Sequence, residues 1–136
     1  GTIKVVALDK EGKVVAEESI HTAEKPYQIQ LKADRNILEA NGEDLSYVTV
    51  SVVDKNGNPC PTATNQLQFN VSGKGTYRAA CNGDATSLEQ FHLPTMQLFS
   101  GKLVVLVQSN TEAGKTELTV TGKGLKSGKI VLHSEK

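Results

Sequence analysis

The chain has no tryptophan and only three tyrosines and three phenylalanines among its 136 residues. Sugar-binding surfaces are usually built on exposed aromatic rings, so this shortage weighs against a carbohydrate-binding platform. The rings that remain available for one are Tyr27, Tyr47, Tyr77 and Phe91. The hydrophobic fraction of 38% is also below the roughly 45–50% of an average globular chain. A thin sandwich with much exposed strand surface has this composition.

An excess of basic charge is equally absent. Fifteen Lys and Arg residues balance fifteen Asp and Glu residues, and the only arginines are Arg35 and Arg78. Nucleic-acid-binding surfaces normally carry a basic patch, so we predict no nucleic-acid partner. No apolar run approaches the roughly 18 residues that a membrane span needs. No signal peptide precedes Gly1-Thr2, which begins inside a predicted strand, so we expect an excised piece of a longer protein.

What the sequence does contain is a series of strand patterns separated by tight turns. Asn41-Gly42, Asn56-Gly57 and Asn82-Gly83 are typical of two-residue hairpin turns. Alternating or wholly apolar segments predict strands at 3–8, 13–20, 27–33, 36–39, 45–53, 65–71, 76–80, 103–109, 115–122 and 129–133. Short strands at this spacing indicate an all-β, immunoglobulin-like antiparallel β-sandwich.

Two segments carry more specific expectations. Strand 45–53 has apolar residues on both faces, so we expect both faces to be partly buried and the strand to lie centrally in its sheet. Thr86 is followed three residues later by Glu89, the spacing of a helix-capping box. We therefore expect one short helical turn over 86–91, ended by Pro94.

The sequence offers no convincing catalytic or metal-binding constellation. His21, His92 and His133 are far apart and lack partners at zinc-ligand spacing. No G-x-S-x-G motif is present, and no carboxylate pair is placed as in a glycosidase. In segment 54–58, Gly57 comes fourth rather than sixth, which favours a plain β-turn over an EF-hand, with a weak calcium site from several loops as the alternative. We predict no catalytic residue, no metal and no cofactor.

Two further features point to possible sites. Cys60 and Cys81 reach the same end of the predicted sandwich, so a disulfide between them is compatible with the topology, and two free buried thiols are the alternative. The cluster Asn82-Gly83-Asp84 is the least strand-like polar segment. Asn82, Asp84 and Tyr77 are the candidate ligand-binding residues, and a simple structural turn is the alternative.

Several motifs together resemble the C-terminal region of bacterial, Bacteroides-type glycoside hydrolase family 2 enzymes of the β-galactosidase type. The motifs are Leu31-x-Ala33-Asp34-Arg35, Gly42-x-Asp44-Leu45-Ser46-Tyr47, Gly57-Asn58-x-x-Pro61-x-Ala63, Phe69-x-Val71-x-Gly73-x-Gly75, Asn82-Gly83-Asp84 with Glu89 and Phe91, and Phe99-x-Gly101-Lys102. Cys81 departs from the family, which more often has Asp there. The resemblance implies that residues 1–24 are the terminal hairpin of a preceding immunoglobulin-like domain and that 25–136 form the next domain.

The resemblance also implies a function. In such enzymes the catalytic glutamates lie in a TIM barrel of about 250 residues, which cannot fit in this chain, so neither glutamate is carried over. We expect a non-catalytic accessory domain, partnered by the catalytic and other domains of the same polypeptide and exported to the periplasm, the cell surface or the medium. The alternatives are a carbohydrate-binding module with a polysaccharide partner, and an adhesin-type immunoglobulin-like stalk.

Overall fold

The computed structural model describes residues 1–136 and contains eleven strands and no helix. The strands are β1 (Thr2–Leu8), β2 (Val14–His21), β3 (Gln28–Ala33), β4 (Ile37–Glu39), β5 (Leu45–Val53), β6 (Gln66–Gly73), β7 (Gly75–Cys81), β8 (Thr95–Gln97), β9 (Lys102–Ser109), β10 (Gly114–Gly122) and β11 (Gly128–Glu135). The structure accordingly has no helix with the length and apolarity to cross a bilayer.

Nine of these strands form an immunoglobulin-like β-sandwich, as the sequence predicts. One sheet has the order β3-β5-β9-β7, and the other has the order β4-β11-β10-β6-β8. All neighbouring strands are antiparallel except β4 and β11, which are parallel. The ten predicted strands are all confirmed, whereas the three-residue β8 is an additional strand.

The inner faces of the two sheets bury a single hydrophobic core. Burying one valine, leucine or isoleucine side chain contributes roughly 1.5–3 kcal/mol, so this core is the main source of stability. Its members alternate with exposed residues along β5 and β6 and with half-buried residues along β9 and β10, as expected of strands with one core-facing side. They are Ile29, Val48, Val50, Val52, Cys60, Ala63, Leu67, Phe69, Ala80, Met96, Leu98, Leu103, Val105, Val107, Leu118, Val120 and Leu132.

Strand β5 confirms one expectation and corrects another. It lies between β3 and β9, so its central position is confirmed. Only its inner face is fully buried, however, because Val48, Val50 and Val52 are buried while Tyr47 and Thr49 are exposed. The outer face is half-buried at Leu45 and Ser51 and buried at Val53, so the prediction of a partly buried second face is confirmed at the ends of the strand and wrong at its middle.

The predicted helical turn over 86–91 is absent, because its capping residues bind elsewhere. The Thr86 hydroxyl donates to Asp84 Oδ1 at 2.7 Å instead of capping a helix. The Glu89 carboxylate accepts the backbone N–H of Gln97 at 3.1 Å and the side-chain amide of Gln66 at 3.2 Å. Residues 82–94 therefore form an irregular crossover from β7 to β8, which we call the β7–β8 crossover.

Strands β1 and β2 form a separate two-stranded sheet that is exposed on both faces. The register pairs Ile3 with Ile20 and Val5 with Glu18. An isolated hairpin of this size is only marginally stable in water. Its attachment to the sandwich runs through the connector 22–27, where Ala23 packs against the core.

Asp54 ties this connector to the sandwich. Its side chain is only 2% exposed. Oδ2 accepts the Glu24 N–H at 2.9 Å and the Asn58 amide at 3.0 Å, and Oδ1 accepts the N–H groups of Asn56 and Asn58 at 2.9 Å. These donors, the Glu24 N–H foremost, lower the pKa of Asp54 to about 2. The predicted plain turn over 54–58 is thus built around a carboxylate that accepts four hydrogen bonds.

Replacing Asp54 by asparagine is expected to destabilise the chain at neutral pH and to have less effect in strong acid. The folded-state pKa of about 2 lies below the ordinary 3.8. The ionised group therefore stabilises the fold fully above about pH 4, and this contribution is lost as the pH falls through about 2. Urea unfolding of both chains at several pH values measures the difference, and a difference that does not shrink in acid would contradict the assignment.

Candidate functional site

Asn82 and Asp84, predicted as ligand-binding residues, lie in the β7–β8 crossover and hold its backbone. Asn82 Nδ2 donates to the Gln97 carbonyl at 2.9 Å, and its Oδ1 accepts the Asp84 N–H at 3.0 Å. Asp84 Oδ1 accepts the Thr86 hydroxyl and the Thr86 N–H, and these two bonds, the hydroxyl first, lower the pKa of Asp84. Only Asp84 Oδ2 has no protein partner, so most of the hydrogen-bonding capacity of the pair is used within the loop.

Tyr77, the third predicted ligand-binding residue, lies on the edge strand β7 and packs, partly buried, against the core. Its ring stacks on Phe69 from the opposite sheet, with ring centroids 5.9 Å apart and an interplanar angle of 14°. Its hydroxyl lies 2.6 Å from the Leu93 carbonyl and 3.0 Å from the Phe91 carbonyl. Burial raises the pKa of Tyr77 to about 12, so the phenol stays protonated and donates. The Tyr77 hydroxyl therefore links the crossover to β7 by hydrogen bonding.

The two cysteines are free thiols, so the predicted possibility of a disulfide is not realised. Cys60 is buried in the core cluster, where burial raises the pKa of its thiol. Cys81 is exposed at the end of β7, where it pairs with Val104. The alternative of two buried thiols is therefore confirmed for Cys60 and wrong for Cys81.

A cleft lined only by polar residues and glycine lies at one end of the sandwich. It has a volume of about 580 Å³ and is formed by the turns that precede β5, join β6 to β7 and join β9 to β10. Lys74 and Glu112 form an ion pair on its rim. The buried Ser109 hydroxyl has no protein hydrogen-bond partner. We call this the polar cleft, and its lining is Gly42, Gly73, Lys74, Thr76, Gln108, Ser109, Asn110, Thr111 and Glu112.

Hydrogen bonds to side chains fix the turn before β5 and so shape one wall of this cleft. Asp44 accepts the Arg35 guanidinium and the N–H groups of Glu39 and Leu45, and the arginine above all lowers the pKa of Asp44. The Gln108 amide donates to the Gly42 carbonyl at 2.6 Å, which joins this turn to β9. The wall is therefore preorganised.

The structure contains no cluster of side chains arranged to bind a metal ion. No three His, Cys, Asp or Glu side chains lie together in a geometry that could hold a metal ion. His21 contacts Thr2 and Ser19 within the hairpin, with its Nδ1 2.9 Å from the Thr2 hydroxyl. His21 thus has a local partner on its own small sheet.

Sequence reasoning missed the polar cleft because its lining comes from three turns that are distant along the chain. A signal was present, since alternate connections of antiparallel strands meet at the same end of a sandwich. Turns around 42, 74 and 111 could have been grouped by that rule. The structure brings the three predicted ligand-binding residues together only in part. Asn82 and Asp84 share a turn, whereas Tyr77 binds the far end of the crossover.

Comparison with known proteins identifies the family. Residues 29–131 match the family described as glycoside hydrolase family 2 C-terminal domain 5. The chain is 44% identical over 135 residues to a β-galactosidase of Bacteroides ovatus, an alignment that covers 99% of this chain and 16% of that protein. The chain therefore spans about one sixth of the length of this relative.

Solved structures agree with the family match. A β-glycosidase from Bacteroides vulgatus superposes with a TM-score of 0.89 at 35% identity, over 98% of this chain and 17% of that one. A glycosyl hydrolase family 2 member from Bacteroides cellulosilyticus gives a TM-score of 0.90 at 29% identity, over 100% of this chain and 17% of that one. The family match covers well over half of the sequence. The chain belongs to the glycoside hydrolase family 2 C-terminal domain 5 family, as a β-sandwich and not the catalytic barrel.

Proposed function

We propose that this domain is a non-catalytic accessory domain of a larger family 2 glycoside hydrolase whose parent chain hydrolyses O-glycosidic bonds as a β-galactosidase does. The observation that carries the proposal is that identity of 44% runs along 99% of this chain but covers only 16% of a β-galactosidase. A barrel of about 250 residues cannot be contained in 136. The catalytic glutamates would thus lie outside these residues.

The proposal includes a division between residues 1–24 and 25–136. The register of the hairpin places Ile3, Val5 and Ile20 on one largely apolar face, where Glu18 is the one charged residue, and the Lys4–Glu17 ion pair of 2.8 Å lies on the other. A sheet with one apolar face normally packs against a second layer. This supports assigning the hairpin to the end of a preceding immunoglobulin-like domain. Packing on other domains of the same polypeptide would be the structural role, with a periplasmic or cell-surface location expected from the Bacteroides relatives.

The parent enzyme with and without residues 25–136 provides the test. The intact parent is expected to hydrolyse a small chromogenic β-galactoside. The truncated parent should keep kcat/KM within about tenfold, because no catalytic group is removed, and should lose activity at a lower temperature, because interface burial is lost. An intact parent without glycosidase activity would refute the assignment, as would an abolished kcat in a truncated protein that remains folded.

Carbohydrate binding is the second candidate, and the polar cleft, whose lining contains no hydrophobic residue, favours it. The same two proteins, run through gels that contain galactans, xyloglucan, pectins or host glycans, distinguish the roles. The accessory role predicts equal mobility in every gel. Retardation that depends on residues 25–136 would establish binding. Loss of retardation in Asn110→Ala would place the site in the cleft, and its loss in Asp84→Ala would place the site in the crossover.

A further inference from the structure

The β7–β8 crossover exposes three large apolar side chains in one short segment. Leu88 is 97% exposed, Phe91 is 57% exposed and Leu93 is 44% exposed. We call these three residues the crossover patch. Single exposed apolar side chains are ordinary, but three within six residues of one loop are the kind of grouping that marks an interaction surface.

The crossover patch is held rigidly by hydrogen bonds on both sides. The Glu89 carboxylate accepts the Gln97 N–H, and the Tyr77 hydroxyl donates to the carbonyls of Leu93 and Phe91. The Phe91 carbonyl also accepts the Ala80 N–H at 2.8 Å. A segment fixed in this way loses little conformational entropy when a partner covers it, so preorganisation favours binding.

The patch is also nearly free of charge. The only ionisable residues in 85–93 are Glu89 and His92. The Glu89 carboxylate is engaged by Gln97 and Gln66, so it is not presented as a free charge to a partner. Depletion of charged groups around exposed aromatic and aliphatic side chains is characteristic of the core of a protein interface.

We propose that the crossover patch docks on another domain of the same polypeptide. This inference rests on the proposed function in one respect, that these residues are part of a longer chain. The aligned segment covers only 16% and 17% of these relatives, so most of such a polypeptide lies outside these residues. Contacts between domains of one chain bury roughly 600–1,500 Å² and are favoured by the high effective concentration of a linked partner.

A photoreactive residue at position 88 in the full-length parent protein tests the proposal. Leu88 is replaced by p-benzoylphenylalanine, which tolerates an apolar contact, and unlabelled and ¹⁵N-labelled proteins are mixed before irradiation. The expected result is a cross-link between position 88 and a peptide outside residues 1–136. Both linked peptides should carry the same isotope, because they come from one molecule. Mass spectrometry then identifies the docking surface.

The control carries the same reporter at Ile37, which is 57% exposed, as Phe91 of the patch is, and which lies on β4 rather than on the crossover. Its yield of cross-links to regions outside the domain is expected to be about tenfold lower, because Ile37 lies outside the proposed contact. Equal yields, cross-links of mixed isotope that indicate a second copy, or cross-links confined to residues 1–136 would each overturn the proposal. Hydrolysis of a chromogenic β-galactoside by the same sample reports separately on the proposed function.

Discussion

Replacing Gly101 by alanine is expected to destabilise the chain by about 3 kcal/mol or more. Gly101 has a φ of 73°, and a Cβ atom there would lie 2.1 Å from the Cys60 carbonyl oxygen. The left-handed conformation costs an L-residue roughly 1–2 kcal/mol, and overpacking against a fixed neighbour costs roughly 1–3 kcal/mol more. The carbonyl cannot move freely, because it accepts the Ala63 N–H at 3.2 Å. Urea unfolding measures the loss.

Gly83 provides the matched control for this prediction. Its φ of 79° is close to that of Gly101, but no atom lies within 4 Å of the position that a Cβ would occupy. Replacing Gly83 by alanine should therefore lower the free energy of unfolding only by the cost of the left-handed conformation, roughly 1–2 kcal/mol. Equal losses at the two positions would mean that the close approach to Cys60 is relieved by a small movement, and the prediction for Gly101 would be wrong.

The strands were predictable because their signals are local. Alternation of apolar and polar residues is read from neighbouring residues, and β5, β6, β9 and β10 all lie where that pattern indicates. The three Asn-Gly pairs do form turns, but the prediction of two-residue hairpins is wrong, because each pair connects strands of different sheets. The turn at 54–58 followed the same logic, with Gly57 adopting a φ of 83°. These elements depend on nearest neighbours more than on the rest of the chain, so the sequence pattern was sufficient.

The β7–β8 crossover could not be predicted, because distant partners decide its conformation. Thr86 and Glu89 satisfy the pattern of a capping box, yet Glu89 binds Gln97 and Gln66. Those contacts exist only after β6 and β8 have paired. A local helical preference of a few tenths of a kcal/mol per residue is easily outweighed by such tertiary contacts.

The candidate site was only partly accessible from sequence for the same reason. Asn82 and Asp84 lie in a loop and Tyr77 lies within β7, but the sequence does not show where these side chains point. In the structure they stabilise the loop that carries the crossover patch. The polar cleft, in contrast, is assembled by three turns whose proximity depends on sheet order, which no local pattern contains.

Substitutions at Tyr77 should reveal a structural role through stability. Tyr77→Phe removes the hydroxyl that bonds to Leu93 and Phe91, and the expected loss is about 1 kcal/mol. Tyr77→Ala also removes the ring that stacks on Phe69, and the expected loss is about 3 kcal/mol, at the lower end for large aromatic residues because the ring is only partly buried. Urea unfolding measures both, and hydrogen exchange should show faster exchange of the Ala80 amide, which bonds to Phe91.

Tyr47 is the natural control, because it is exposed on the outer face of β5 and its hydroxyl has no hydrogen-bond partner in the protein. Tyr47→Phe should change the free energy of unfolding by less than about 0.5 kcal/mol. If Tyr77→Phe left the free energy of unfolding equally unchanged and nevertheless abolished retardation in a polysaccharide gel, the hydroxyl would be a ligand-binding group. If Tyr77→Phe instead lowers the free energy of unfolding and leaves gel mobility unchanged, the hydroxyl has a structural role in holding the crossover. The reason is that losing its two carbonyl contacts affects folding but no sugar contact.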